Sequence, residues 1–269
     1  MEIHNSANNT EWEKRSLLYG RSLRSVLFKG MPEIINGHIH EWHVRAVLNN
    51  IAAKEGLRIL DVGCGYGRIT LPILSKFPGT EIVGLDTSDN FVKLYKETTK
   101  QKAIRGTLEN IPQDIGEFDY ILCVTVLMYV SEQQVIPTLN RLVKYLKPGG
   151  KLILIEPLIY IRFFLRLFGL VDFVERQLRR TRHPVDTGGR YFRKSDIETY
   201  ASACHCSIES TLGMPFTTLF ILPLNVIGKL CPASFTKLVL KIFTWTDGRL
   251  SRLGLPSLYA AYVISRKLS

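Results

Sequence analysis

Ile59-Leu60-Asp61-Val62-Gly63-Cys64-Gly65-Tyr66-Gly67-Arg68 is the stretch that decides the fold. It begins as an apolar run ending near an acid, as a buried strand reads, and three glycines at alternate positions follow before an amphipathic stretch from Ile69 to Lys76. Glycine accepts positive φ and lets backbone approach a ligand without side-chain obstruction. A loop at the carboxyl end of a strand is where open α/β sheets bind ligands.

The pattern repeats outward from this loop. Arg58 to Val62, Glu81 to Leu85, Tyr120 to Val124 and Lys151 to Ile155 are short apolar runs, and Ile69 to Lys76, Asn90 to Thr98 and Glu132 to Leu146 are amphipathic stretches between them. Alternation of this kind predicts βαβ units and a parallel sheet. A weaker strand is expected near Ala103 to Gly106, and Lys147-Pro148-Gly149-Gly150 is expected to stop a helix and turn the chain. Beyond Pro157 the alternation lapses, resuming with a helix at Ser195 to Ser202 and strands at Ser207 to Ser210 and Tyr259 to Ser265. On the N-terminal side, residues 1 to 12 read as a tail and the rest up to about Ala53 as helical. The expected organisation is a helical cap over 1–53, an α/β core over 54–157, and over 158–269 a lid or insertion followed by the last strands of the same sheet.

The 269 residues, 46% hydrophobic and 22% charged, fit one large α/β domain with an elaboration rather than a disordered chain. Charge is unevenly placed. Residues 1–159 hold 19 Lys and Arg against 17 Asp and Glu, whereas residues 160–269 hold 16 against 7, so the formal net charge of +11 belongs mainly to the C-terminal part. Such a field favours an anionic substrate, a nucleic acid or an anionic membrane surface. The five cysteines form no CxxC pair, and Cys204-His205-Cys206 lacks a second pair at ligand spacing, so no metal site is expected. Met1 to Thr10 is polar and carries no apolar signal core, which gives the expectation of a cytoplasmic protein.

Asp86 ends the next strand, 19 residues past Gly67. A carboxylate there can accept from both hydroxyls of a ribose, a requirement shared by nicotinamide and S-adenosylmethionine sites. Glycine spacing separates the two. A dinucleotide loop wants GxGxxG, and here Arg68 stands in the place of the third glycine. An NAD(P)-dependent oxidoreductase is therefore the second choice, and a catalytically silent S-adenosylmethionine-binding interaction protein is a third reading.

The chain resembles the class I S-adenosylmethionine-dependent methyltransferases, especially those acting on small molecules and lipids. Beside the glycine loop, the resemblance is carried by Asp86-Thr87-Ser88, Gly106-Thr107-Leu108-Glu109-Asn110-Ile111-Pro112, Phe118-Asp119-Tyr120-Ile121-Leu122-Cys123 with Val126-Leu127-Met128-Tyr129, and Leu146-Lys147-Pro148-Gly149-Gly150. It implies a doubly wound, mostly parallel seven-stranded α/β sheet with S-adenosyl-L-methionine as cofactor. It also implies that Asp61, Gly63, Cys64, Gly65 and Gly67 hold the amino-acid end, Asp86 and Thr87 the ribose, and Thr107, Leu108 and Glu109 the adenine, with Cys123 at the end of the fourth strand. Thr107 stands where the family often has Asp, leaving adenine to its hydroxyl or to the Leu108 backbone.

Methyl transfer depends chiefly on positioning an in-line nucleophile. A base is needed only for an acceptor that must lose a proton, and the candidates are His43, Tyr129 and His183. His38, His40 and His43 do not share one helical face, which argues against a metal site there. The acceptor is expected to be a small, hydrophobic or lipid-linked molecule. Arg162 and Arg166, then Lys237 and Lys241, are spaced four apart within apolar, aromatic stretches, and the reading is of a lid, a contact with an anionic membrane surface, or both. A nucleic-acid acceptor is disfavoured because no Asn-Pro-Pro-Tyr or Pro-Cys segment is present, and no obligate protein partner is inferred.

Overall fold

The computed structural model describes residues 2–31, 33–162, 166, 189–215, 233–250 and 257–267. Two helices come first, α1 (Glu2–Tyr19) and α2 (Glu33–Leu48). Then follow β1 (Arg58–Val62), α3 (Thr70–Lys76), β2 (Glu81–Asp86), α4 (Asp89–Thr99), β3 (Ala103–Arg105), β4 (Phe118–Val124), α5 (Glu132–Lys144) and β5 (Leu146–Pro157). The chain ends with α6 (Lys194–Ala203), β6 (Cys206–Pro215), α7 (Ala233–Leu250) and β7 (Ser257–Arg266).

The seven strands form one sheet in the order β3-β2-β1-β4-β5-β7-β6. Pairings from β3 through β5 are parallel, while β7 runs antiparallel between β5 and β6. The order reverses direction at β1 and β4, and a crevice opens there at the strands' carboxyl ends. Both faces are covered, which is why the strands are apolar on successive residues. Leu60, Val62, Leu85, Ile121 and Leu152 face one apolar layer, and Ile59, Ile82, Leu122, Ile153 and Ile155 face the other with α2 and α3.

Two expectations are corrected. The N-terminal stretch read as a tail is helical from Glu2. Its anchors are tertiary: Ser88 Oγ donates to Glu13 Oε2 at 2.6 Å, and Arg15 donates to the carbonyls of Arg24 and Leu27. The segment Lys147 to Gly150 is not a separate turn but the irregular start of β5, whose Leu146 already pairs with Phe118 across a register shift. Asp119 pins this end of the sheet by accepting from Lys54 and Lys147, each at 2.8 Å, and from the Arg58 backbone at 2.9 Å. Burial would raise its carboxyl, but the two lysines prevail and hold it at about 2.

Candidate active site

The glycine loop is built by what lies around it. Gly63 has φ +65°, and a Cβ there would come within 2.3 Å of the Val126 side chain, so the loops after β1 and β4 meet only because this residue has none. Gly67 has φ +89°, and a Cβ would meet Thr99 of α4 at 2.4 Å. Asp61 lies beneath the loop and accepts from Thr70 Oγ1 at 2.7 Å, and Thr70 in turn contacts Tyr95 Oη at 3.0 Å. Burial raises the Asp61 carboxyl to about 6, although Thr70 and Arg68 draw it back.

Asp86 closes the neighbouring side. Its Oδ2 accepts from Gly65 N at 2.9 Å and its Oδ1 from Ser88 N at 3.0 Å. Each carboxylate oxygen keeps a further lone pair for a ligand. Burial pushes this carboxyl up to about 6 against the backbone donors of Ser88, Gly65 and Thr87.

Between these groups is a cleft of about 900 Å³, counting its open mouth. Of the residues singled out in the sequence, Gly63, Gly65, Asp86, Thr87, Thr107, Leu108, Glu109 and Tyr129 line it. Asp61, Cys64, Gly67 and Cys123 do not, and Cys64 and Cys123 are buried at 4% and 0% exposure. His43 is fully buried on α2, edge-on to Tyr259, and does not line the cleft. Burial first, then Arg68 and His40, holds its imidazole well below the ordinary value. His183 lies outside the described residues.

Sequence reasoning missed Trp12, Val26, Arg68, Thr125, Val126 and Val130 on the cleft wall. Trp12 comes from α1 and stands edge-on to Tyr129, with ring centroids 5.1 Å apart. Thr125 turns the chain out of β4 at φ +60°, an uncommon conformation for a residue with a Cβ. Glu156 was missed too. Its fully buried carboxylate accepts from the backbone N–H groups of Val126, Leu127 and Met128 at 3.0, 2.7 and 3.2 Å, and so fixes the turn that carries Tyr129. A small apolar recess, about 280 Å³ counting its open side, adjoins the cleft at Val26, Thr125 and Tyr129, and its walls include Phe28, Tyr191 and Tyr259.

The methyltransferase domain family matches residues 59–150. The demethylmenaquinone methyltransferase of Staphylococcus carnosus is 28% identical over 162 residues, covering 54% of this chain and 66% of that one. That of Staphylococcus saprophyticus is 30% identical over 159 residues, covering 52% and 67%. The match thus spans about two thirds of the length of these curated relatives. Among solved structures, a cyclopropane synthase from Mycobacterium tuberculosis superposes with a TM-score of 0.55 at 15% identity, over 84% of each chain. The magnesium protoporphyrin IX methyltransferase of Synechocystis PCC 6803, with bound S-adenosylmethionine, gives 0.54 at 16% identity, over 77% of this chain and 88% of that one. These structures share the seven-stranded, mostly parallel fold described above. The chain belongs to the class I S-adenosylmethionine-dependent methyltransferases.

The residues present suit that family's cofactor. The cradle at Gly63 is one that a Cβ would fill, and Asp86 offers a buried acceptor at the lip of the next strand. Thr107, Leu108 and Glu109 line the same cleft.

Proposed function

We propose that this protein transfers the methyl group of S-adenosylmethionine to a hydrophobic, lipid-linked acceptor. The observation that carries this reading is the aromatic and apolar wall that Trp12, Val26, Val126, Tyr129 and Val130 give the cleft. An apolar acceptor head gains by leaving water for such walls, and its reacting atom is thereby brought to the mouth of the cofactor cleft. The relatives named for demethylmenaquinone agree with an acceptor of this class.

When bound, the cofactor supplies an electrophilic methyl carbon on a sulfonium centre. Gly63 and Gly65 would take its amino-acid end, Asp86 and Thr87 its ribose, and Thr107, Leu108 and Glu109 its adenine. Trp12 and Val126 would cover it and exclude water, which confines the reacting groups to a productive approach. Of the three sequence-derived bases, Tyr129 alone faces both the cleft and the apolar recess among the described residues, so it is assigned to the acceptor. His43 is assigned a packing role.

The acceptor would be met at an anionic membrane surface. Phe235, Leu238, Ile242 and Trp245 are 45%, 56%, 51% and 59% exposed, and their spacing places them on one face of α7. Lys241 is exposed on the same helix, and Arg249 stacks over Trp245 at 4.1 Å. An exposed apolar helix face with cations beside it suits contact at the interface.

Incubation with methyl-labelled S-adenosylmethionine and separate lipid and water-soluble extracts tests the reading. Label should enter the lipid fraction. Label confined to the water-soluble fraction would overturn the lipid acceptor, and no transfer to either would leave a cofactor-binding protein without this activity.

A further inference from the structure

We infer that Arg68, held by His40 and His43 of α2, is the counter-ion for the carboxylate on the amino-acid end of S-adenosylmethionine. Arg68 follows the last loop glycine, is 7% exposed, and lines the cleft. Its Nη1 lies 3.3 Å from His43 Nδ1 and 3.5 Å from His40 Nδ1. The histidines are three apart on α2 and so present one face to it. Among the described residues no carboxylate lies within ion-pair distance of this guanidinium.

Asp61 acts on this guanidinium through space but makes no ion pair with it. A buried cation with no anion in contact is costly, because two acceptor imidazoles satisfy hydrogen-bond donors but not the charge. Both imidazoles suit the acceptor role. His40 is lowered to about 4, by burial and then by Arg68, and a neutral ring can accept at Nδ1 with its proton on Nε2. The His43 Nε2 has no hydrogen-bond partner, so Arg68 is the polar neighbour that orients this ring. The cofactor carries one anionic group, its α-carboxylate, and a planar guanidinium fork matches a carboxylate in shape as well as charge.

This inference rests on reading the cleft as the cofactor site, and the test keeps the two separable. Calorimetry would compare S-adenosylhomocysteine with its decarboxylated analogue, which lacks only the carboxylate, in unaltered protein and in Arg68→Met. The unaltered protein should prefer S-adenosylhomocysteine by about ten- to a hundredfold, and Arg68→Met should lose most of that preference while keeping the analogue's affinity within about threefold. Arg68→Lys should retain part of the preference, since the charge stays and the fork is lost. If Arg68→Met weakens both ligands equally, Arg68 only braces α2 and the inference fails. If Arg68→Met does not fold, the unaltered protein decides together with Arg68→Lys, and equal affinity for both ligands in either overturns it. Binding of neither compound by the unaltered protein overturns the cofactor reading, and this inference with it.

Discussion

Asp86 shows how one residue links fold and function. Strand β2 carries it to the crevice, the Gly65 and Ser88 backbone fixes both its oxygens, and burial lifts its carboxyl to about 6. In the proposed role of accepting from two ribose hydroxyls it is ionised, so a raised value means that this acceptor form is lost as pH falls through about 6. S-adenosylhomocysteine affinity measured by calorimetry should therefore be level above pH 7 and decline below 6. Asp86→Ala removes charge-assisted hydrogen bonds and should weaken binding by roughly ten- to a hundredfold. A folded variant with unaltered affinity would assign the ribose elsewhere. Both this residue and its spacing from the glycine loop were legible in the sequence. Arg68 was legible only as a missing glycine, because its meaning depends on α2 packing against it.

At the scale of elements, the turn after β4 is held from a different strand. Residues Leu127–Tyr129 make one 3₁₀ turn, and the carboxylate that gathers its donors belongs to Glu156 at the end of β5. Burial pushes this carboxyl up to about 8, while the backbone donors at Leu127, Val126 and Met128 favour its ionised form. Glu156→Gln puts an NH2 group where one backbone donor needs an acceptor. Thermal unfolding should show a loss of about 1.5 to 3 kcal/mol, and the emission of Trp12, isolated by difference from Trp12→Phe, should shift as Tyr129 moves beneath it. An unchanged emission with full stability would show that packing alone sets the turn. The coupling between β4 and β5 was not legible, since a lone glutamate before Pro157 gives no sign in sequence of what it will face. The part of α1 up to Trp12 was missed for a similar reason: the helix is anchored by Glu13 and Arg15 reaching α4 and the chain after α1, not by a strong local pattern.

Across the whole molecule, the basic C-terminal part and the exposed face of α7 lie together in one half of the sequence. If both serve a membrane surface, binding to vesicles in cosedimentation should rise with anionic lipid content and fall as salt shortens the reach of the field. Leu238→Ser with Trp245→Ser should reduce that binding several-fold, since each exchange removes apolar area available for insertion. Affinity for S-adenosylhomocysteine should not change, because these positions line neither the cleft nor the apolar recess. Equal sedimentation of the variant and unaltered protein would assign this face to another contact. The residues from 167 to 188, with Arg176, Arg179, Arg180 and Arg182, lie outside the described structure, as does most of the uncharged run from Ser210 to Gly228.

The sequence by itself determined the parallel core, the loop at its carboxyl edge and the acid on the neighbouring strand. Each is written in local order: apolar runs of strand length, glycines at fixed offsets and one carboxylate at a strand end. Tertiary structure decided which named residues face the cleft and which support it. Asp61, Cys64, Gly67 and Cys123 lie in or beside the expected segments but do not line the cleft, whereas Trp12, Thr125 and Arg68 reach the wall from elements whose approach no local pattern encodes. The physical reason is that exposure to a cavity is a property of several packed surfaces at once. Strand, turn and helix preferences are properties of neighbours along the chain.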